Sequence, residues 1–313
     1  KNIASGQYAS ALQKIVDLDA IRHYKTKKTT AGSKLAKSLR MKPSPRLEKS
    51  LKGMKVDSIN TSGMALSPSR MSRYDKCPKL FKFQYVWNVP GGGTSAHLYA
   101  GNRFHEVARQ AGEAEKQGVH KTKAELKKIL DSEWDYRPFL DDGKTVEKQY
   151  KSRMKSALVV YKEWAKSNPN TVVDIERDFT IKIGGKVVTG RIDRVEKTPK
   201  GKYHLVDFKT GTGQYLAHGV KKDIQLNVYC LACKKLYGEL PERATLFYPE
   251  ISPTDKKKKQ FKHYSVTDKL VKKATKEVLL KVISGIGKAD FKATPGMQTC
   301  KYCEYRPICT EAM

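Results

Sequence analysis

Behind the helix-start sequence Ser67-Pro68-Ser69, the residues Arg73, Tyr74, Cys77, Leu80, Phe81 and Tyr85 recur at helical spacing. The segments 100–117, 121–134 and 147–167 read as further helices, so a helical block is expected first. The texture then changes to β-branched or alternating runs at 172–183, 186–196 and 203–209. Gly184-Gly185 and Pro199-Lys200-Gly201 break these runs, which predicts consecutive strands of one sheet. After the glycine-rich stretch Thr210 to Gly213 the pattern predicts a helix at 223–237 and a strand at 244–248. A lysine-rich hairpin or loop around 255–262 and a helix at 268–284 follow. The expected fold class is α/β: a central mixed sheet with helices on both sides and an α-helical N-terminal block. No internal repeat or sustained heptad interrupts this reading.

Composition changes the picture at the N-terminus. Residues 1–62 carry 14 basic and 4 acidic side chains, with one amphipathic stretch near Tyr8 to Tyr24 followed by a Lys-, Ser-, Thr- and Pro-rich connector. They read as a basic arm or linker, and 63–313 as the packed domain. The whole chain has a net charge of +30, more than solubility requires, and a polyanion is the natural partner. Nucleic acid fits best, because its closely spaced phosphates release counterions on binding. The lysines at 256–259 are expected to be solvated. No run approaches the roughly 18 apolar residues of a spanning helix, and no signal-peptide pattern opens the chain, so an intracellular protein, cytoplasmic or nucleoid-associated, is expected. The chain begins at Lys1 without an initiator methionine, as a processed product or a piece of a longer protein would.

The candidate chemistry lies in the strands. Phosphodiester hydrolysis requires water beside a polyanion and compensation of transition-state charge, which divalent metals on carboxylates supply. Asp193 stands in the apolar run Val187, Val188, Ile192, Val195, where an unpaired carboxylate is costly. Asp207 repeats the pattern in Leu205-Val206-Asp207-Phe208, and both are expected near the ends of adjacent strands. Alternation places Asp207 and Lys209 on one face. There the ammonium would either activate a water or neutralise phosphate charge.

Six segments occur in order: SRMSRYDKCPKLFKFQYV from Ser69, GNRFHE from Gly101, GRID from Gly190, VDFKTG from Val206, QLNVY from Gln225 and CKYCEYRPIC from Cys300. Together they resemble the RecB-like branch of the PD-(D/E)XK nuclease superfamily, which includes AddB and RecB nuclease domains and CRISPR adaptation nucleases. The resemblance spans about Ser67 to Cys309 and implies a restriction-endonuclease-like core. It further implies that His105, Asp193, Asp207 and the Phe208 main-chain carbonyl hold Mg²⁺ or Mn²⁺, and that Lys209 is the catalytic lysine. Gln225 and Tyr229, one turn apart, would position substrate and Lys209. Glu176 resembles an acidic position preceding the GRID strand. The implied activity is a DNA exonuclease acting on single strands or duplex ends, with a helicase domain or subunit as a possible partner. The rival reading is a non-catalytic DNA-binding subunit.

Cys77, Cys300, Cys303 and Cys309 supply the four thiolates that zinc or a [4Fe-4S] cluster accepts, and the chemistry of the ligands does not choose between them. The resemblance implies [4Fe-4S], because the iron-sulfur members pair an early Tyr-x-x-Cys-Pro cysteine with a terminal CxxC-x5-C group. Cys230 and Cys233, within an apolar periodic segment, read as core thiols.

Overall fold

A computed structural model describes residues 63–89, 96–140, 143–211 and 223–313. The expected basic arm lies outside the described residues. Helices α1 (Pro68–Lys76) and α2 (Pro78–Phe81), the latter running into a π turn at Lys82–Val86, come first. Then follow α3 (Ala96–Lys116), α4 (Lys123–Glu133), a 3-10 turn at Arg137–Phe139 and α5 (Lys144–Ser167). Strands β1 (Thr171–Ile183), β2 (Lys186–Lys197) and β3 (Tyr203–Phe208) precede α6 (Ile224–Tyr237), β4 (Arg243–Phe247) and β5 (Phe261–Ser265). The chain closes with α7 (Asp268–Ala274), a π turn at Thr275–Leu279, α8 (Leu280–Gly287), α9 (Met297–Lys301) and a 3-10 turn at Arg306–Ile308.

The structure differs from the expected elements at two places. The first helix does not run through Cys77. Proline at 78 has no N–H and disfavours helical geometry in the residue before it, so Cys77 is extended (φ −166°, ψ 115°) and caps a new helix. Beyond the lysine-rich loop, residues 261–265 form the edge strand β5, because Phe261 stacks on Phe247 at 4.5 Å and the strand pairs antiparallel with β4.

The described residues group into two compact units. One comprises Ala65–Ser69 with Thr94–Lys281, and the other contains Arg70–Gly93 with Val282–Met313. In the first, the sheet order is β1-β2-β3-β4-β5. The β3–β4 pair is parallel and the other three are antiparallel. The parallel step needs a crossover, and α6 lies within it. Helices α3, α4 and α5 pack their apolar stripes on one another, and Phe104, Leu158, Tyr161, Val206, Phe208 and Phe247 join one buried cluster. Thr122 and Glu125 start α4 with a reciprocal capping box.

One buried polar network accompanies this core. Arg194 is 1% exposed and pairs with Glu115 and Glu196, each at 2.6 Å. Glu196 also accepts from Asn168 (2.6 Å) and Asn170 (2.8 Å), and His204 Nδ1 stands 3.2 Å from it. Arg194 answers both carboxylates and hydrogen bonds satisfy Glu196 further, so the burial is tolerable.

In the second unit Cys77, Leu80, Phe83 and Tyr305 are buried together, and Cys303, Ile308 and Cys309 pack against them.

Candidate active site

Register brings three carboxylates into line. On β1 and β2 the pairs Ile175↔Arg194 and Arg177↔Ile192 leave Glu176 opposite Asp193. The β2–β3 ladder ends at Arg194↔Val206, so the next opposed positions are Asp193 and Asp207. Glu176, Asp193 and Asp207 thus form a row across three strands. Asp193 is mid-strand rather than near a strand end, because the β1–β2 hairpin continues well past the shorter β3. What places it next to Asp207 is the lapse of pairing.

Helix α3 lays His105 over this row. Its Nδ1 lies 3.6 Å from Asp193 Oδ2 and 4.0 Å from Glu176 Oε1. His105, Glu176 and Asp193 offer ligand atoms all within 4.8 Å of one another, a group suited to a divalent cation. Asp207 is outside that compact group, and its Oδ2 lies 2.6 Å from Lys209 Nζ. The angles of this ion pair fall outside hydrogen-bond geometry, so Asp207 Oδ2 is buried without an aligned donor. A buried carboxylate oxygen left in that condition fits a metal ligand.

The strands explain how the charged groups are held. Phe208 points away from Asp207 and Lys209 and packs among Phe104, Tyr161, Trp164 and Phe247. Its N–H donates to Asp193 Oδ2 at 2.8 Å, while the next amide, Lys209 N–H, donates to Phe247 O on the opposite side. In an extended strand the N–H and C=O of one residue leave on the same side. The Phe208 carbonyl, expected as a ligand, therefore leaves on the Asp193 side. Glu176 has φ +46°, rarely adopted by a residue with a side chain, and local strain of this kind is held in place by the surrounding structure.

Electrostatics follow from crowding. Burial pushes the carboxyls of Glu176 and Asp193 above the ordinary range, and His105 only partly offsets this. Burial, opposed by Lys209 and reinforced by Asp193, raises Asp207 to about 6. Lys209 is half-buried, which disfavours its charge, but Asp207 and Asp193 outweigh this and raise its affinity for a proton. A cation held by the row would relieve the mutual repulsion of its carboxylates.

The model of the PD-(D/E)XK nuclease superfamily matches residues 65–310. The chain belongs to the PD-(D/E)XK nuclease superfamily. Among solved structures, this PD-(D/E)XK chain is similar to a protein designated SSO0001 at 16% identity and a TM-score of 0.35. That match covers 91% of this chain and 98% of the other. It is also similar to a protein provisionally designated an exonuclease, from Eubacterium rectale, at 14% identity and a TM-score of 0.45, with 83% and 97% covered. No curated protein sequence matches it. Among the described residues, no helix is long and apolar enough to cross a membrane.

Helix α6 of this PD-(D/E)XK nuclease brings the other two expected residues to the lysine. Lys209 Nζ donates to Gln225 Oε1 at 2.6 Å, and Gln225 Nε2 donates to Tyr229 Oη at 2.7 Å. Asp223 caps α6 by accepting from Leu226 N–H at 2.9 Å, which fixes the turn that carries Gln225. The glycine of the GRID segment has a packing reason. A Cβ on Gly190 would lie 2.6 Å from Phe179 Cζ, and Phe179 sits edge-on to Tyr229 with centroids 5.9 Å apart.

Residue-by-residue reading of the sequence missed Glu250. It accepts from Gly211 N–H, two residues beyond Lys209, and pairs with Arg153 Nη2 at 2.6 Å. Its segment Tyr248-Pro249-Glu250 carries no pattern that marks it, because the contact is made by tertiary packing.

In the other unit, Cys77, Cys300, Cys303 and Cys309 are free thiols. Backbone groups of Thr294, Leu80 and Lys79 reach Cys77 and lower its thiol against the opposing effect of burial. Burial raises Cys303, which also feels Cys77 and Cys300. Four free thiols, one stabilised as thiolate by backbone donors, have the donor chemistry of a soft-metal site. Cys230 and Cys233 are fully buried in α6.

Proposed function

We propose that this nuclease is a metal-dependent DNA exonuclease that hydrolyses phosphodiester bonds in single strands. The observation that carries the reading is the row Glu176–Asp193–Asp207 beneath His105, with Lys209 beside it. Mg²⁺ or Mn²⁺ would be held by His105, Asp193, Asp207 and the Phe208 carbonyl, with Glu176 as an additional carboxylate. When bound, the ion supplies Lewis acidity toward a phosphoryl oxygen and a more acidic water.

The chain's own residues do the rest. Lys209 donates one of its three ammonium hydrogens to Gln225 and lies in an ion pair with Asp207, which leaves N–H donors for an attacking water or a phosphate oxygen. Gln225 holds the ammonium in place, and Tyr229 holds the Gln225 amide. Phe208 anchors the strand in the core, which keeps Asp207 and Lys209 from moving independently.

We further propose that Cys77, Cys300, Cys303 and Cys309 hold a [4Fe-4S] cluster with a structural role, since hydrolysis needs no electron transfer. Anaerobic purification should give a brown protein with stoichiometric iron. Colourless protein with stoichiometric zinc would replace iron by zinc. The test of catalysis is cleavage of end-labelled single-stranded and duplex DNA with Mg²⁺ or Mn²⁺. Binding without cutting would favour a DNA-binding module.

A further inference from the structure

Aromatic side chains form an uninterrupted series beside the Lys209 loop. Centroid separations are 6.3 Å from His97 to Tyr150, 5.9 Å from Tyr150 to Phe139, and 5.5 Å from Phe139 to Trp134. Trp134 and Tyr150 pack against the helical core, and the series runs from there to the surface. Here Phe139 is buried, Tyr150 and Trp134 are half-buried and His97 is exposed. Tyr136, on the same short turn as Phe139, is 61% exposed.

Cations lie on the rings. Arg153 sits over Tyr150 at 5.0 Å and Lys151 over Trp134 at 5.7 Å. The nearby acidic groups are engaged locally: Glu133 with Arg103, Asp135 with Arg137, Asp131 with Lys151, and Glu147 with the Trp134 indole. On α5, Lys144, Lys148, Lys151 and Lys155 follow at intervals of four, three and four, which places them on one helical face.

The series is joined to the candidate site at its His97 end. A Cβ on Gly211 would lie 3.2 Å from His97 Cε1, and Gly211 follows Lys209 by two residues. Glu250 accepts from Gly211 N–H and pairs with the same Arg153 that covers Tyr150. One arginine therefore touches both the ring series and the carboxylate that holds the loop.

Resting on the proposed nuclease activity, we infer that His97, Tyr150 and Tyr136 form a stacking track for the unpaired bases of single-stranded DNA, adjoining the Lys209 loop, with the exposed Lys144 and Lys148 toward the phosphates. Bases in a duplex hide their faces against one another, and only a strand with free faces can use such rings. The lysine face of α5 supplies the charge a phosphate backbone seeks.

The test is binding of a fluorescently labelled oligothymidylate and of an abasic strand of the same length, by the full chain with Ca²⁺ in place of Mg²⁺. The wild-type protein should bind the base-bearing strand roughly tenfold more tightly, the scale of one or two stacking contacts. His97→Ala and Tyr136→Ala, both at exposed positions, should each reduce that ratio, and Tyr150→Ala with His97→Ala should bring it near one. Tyr150→Phe should keep it, because a phenyl ring still stacks. Equal wild-type affinity for the two strands, or an undiminished ratio in the alanine variants, overturns the track. If the wild type cuts single strands in Mg²⁺ while the ratio is one, the track fails and the nuclease reading stands. If it neither binds nor cuts DNA, both fail.

Discussion

At the scale of the residue, the site is a balance between burial and charge. Asp207 lies in the interior with its Oδ2 near a lysine but without an aligned donor, and its neighbour across the lapsed ladder is Asp193. Asp207→Asn removes one charge from that row, and Lys209→Ala removes the ammonium that answers it. Each should lower single-turnover cleavage roughly 10²- to 10⁴-fold while leaving DNA binding in Ca²⁺ within a few-fold. Equal losses in binding and cleavage would instead assign these groups to substrate affinity. Glu176 invites a separate measurement, since it shares the compact ligand group with His105 and Asp193. Glu176→Gln should raise the Mg²⁺ concentration for half-maximal cleavage roughly 10- to 100-fold with little change at saturating metal. An unchanged metal titration would leave Glu176 without a part in holding the ion.

At the scale of the element, close approaches decide geometry. A Cβ at position 101 of α3 would lie 2.6 Å from Thr210 Oγ1, so the helix and the segment that follows Lys209 touch through a glycine. Gly101→Ala should lower cleavage by displacing Thr210, and adding Thr210→Ala should restore much of it, as a double-mutant cycle would show. Additive losses would mean that Gly101 acts elsewhere. The buried network of β2 makes a pH prediction. Burial would raise Glu196, but His204, Arg194 and Asn170 overcome it and hold the carboxyl near 2, below its ordinary 4.5. A carboxyl depressed on folding contributes its stability above the unfolded value and loses it as pH falls toward 2. Glu196→Gln should therefore cost about 3 kcal/mol in urea unfolding near neutral pH, and the difference should shrink between about pH 4.5 and 2. A pH-independent difference would assign the loss to packing.

At the scale of the whole molecule, the sequence disclosed the order of the chemistry better than its assembly. Alternation in Asp207-Phe208-Lys209 was legible, because a strand has a period of two and its apolar middle residue must enter the core. Helical spacing was legible for Gln225 and Tyr229, which meet in a hydrogen bond. The opposition of Glu176 to Asp193, and the Glu250 contact to the Lys209 loop, come from register and tertiary packing, which leave no local period. Cys77 was legible as a candidate ligand but its backbone was not, since the helical spacing continued across a proline that the fold uses as a break. The excess of positive charge belongs to this scale as well. Removing residues 1–62 deletes 14 basic and 4 acidic side chains and should make the salt dependence of DNA binding shallower; an unchanged slope would separate the arm from DNA. The most direct test of the account remains hydrolysis at the carboxylate row. End-labelled single-stranded DNA incubated with Mg²⁺ or Mn²⁺ should be degraded by the wild-type protein and spared by Asp207→Ala and Lys209→Ala, whereas intact DNA in every lane, or equal degradation by the variants, would contradict it.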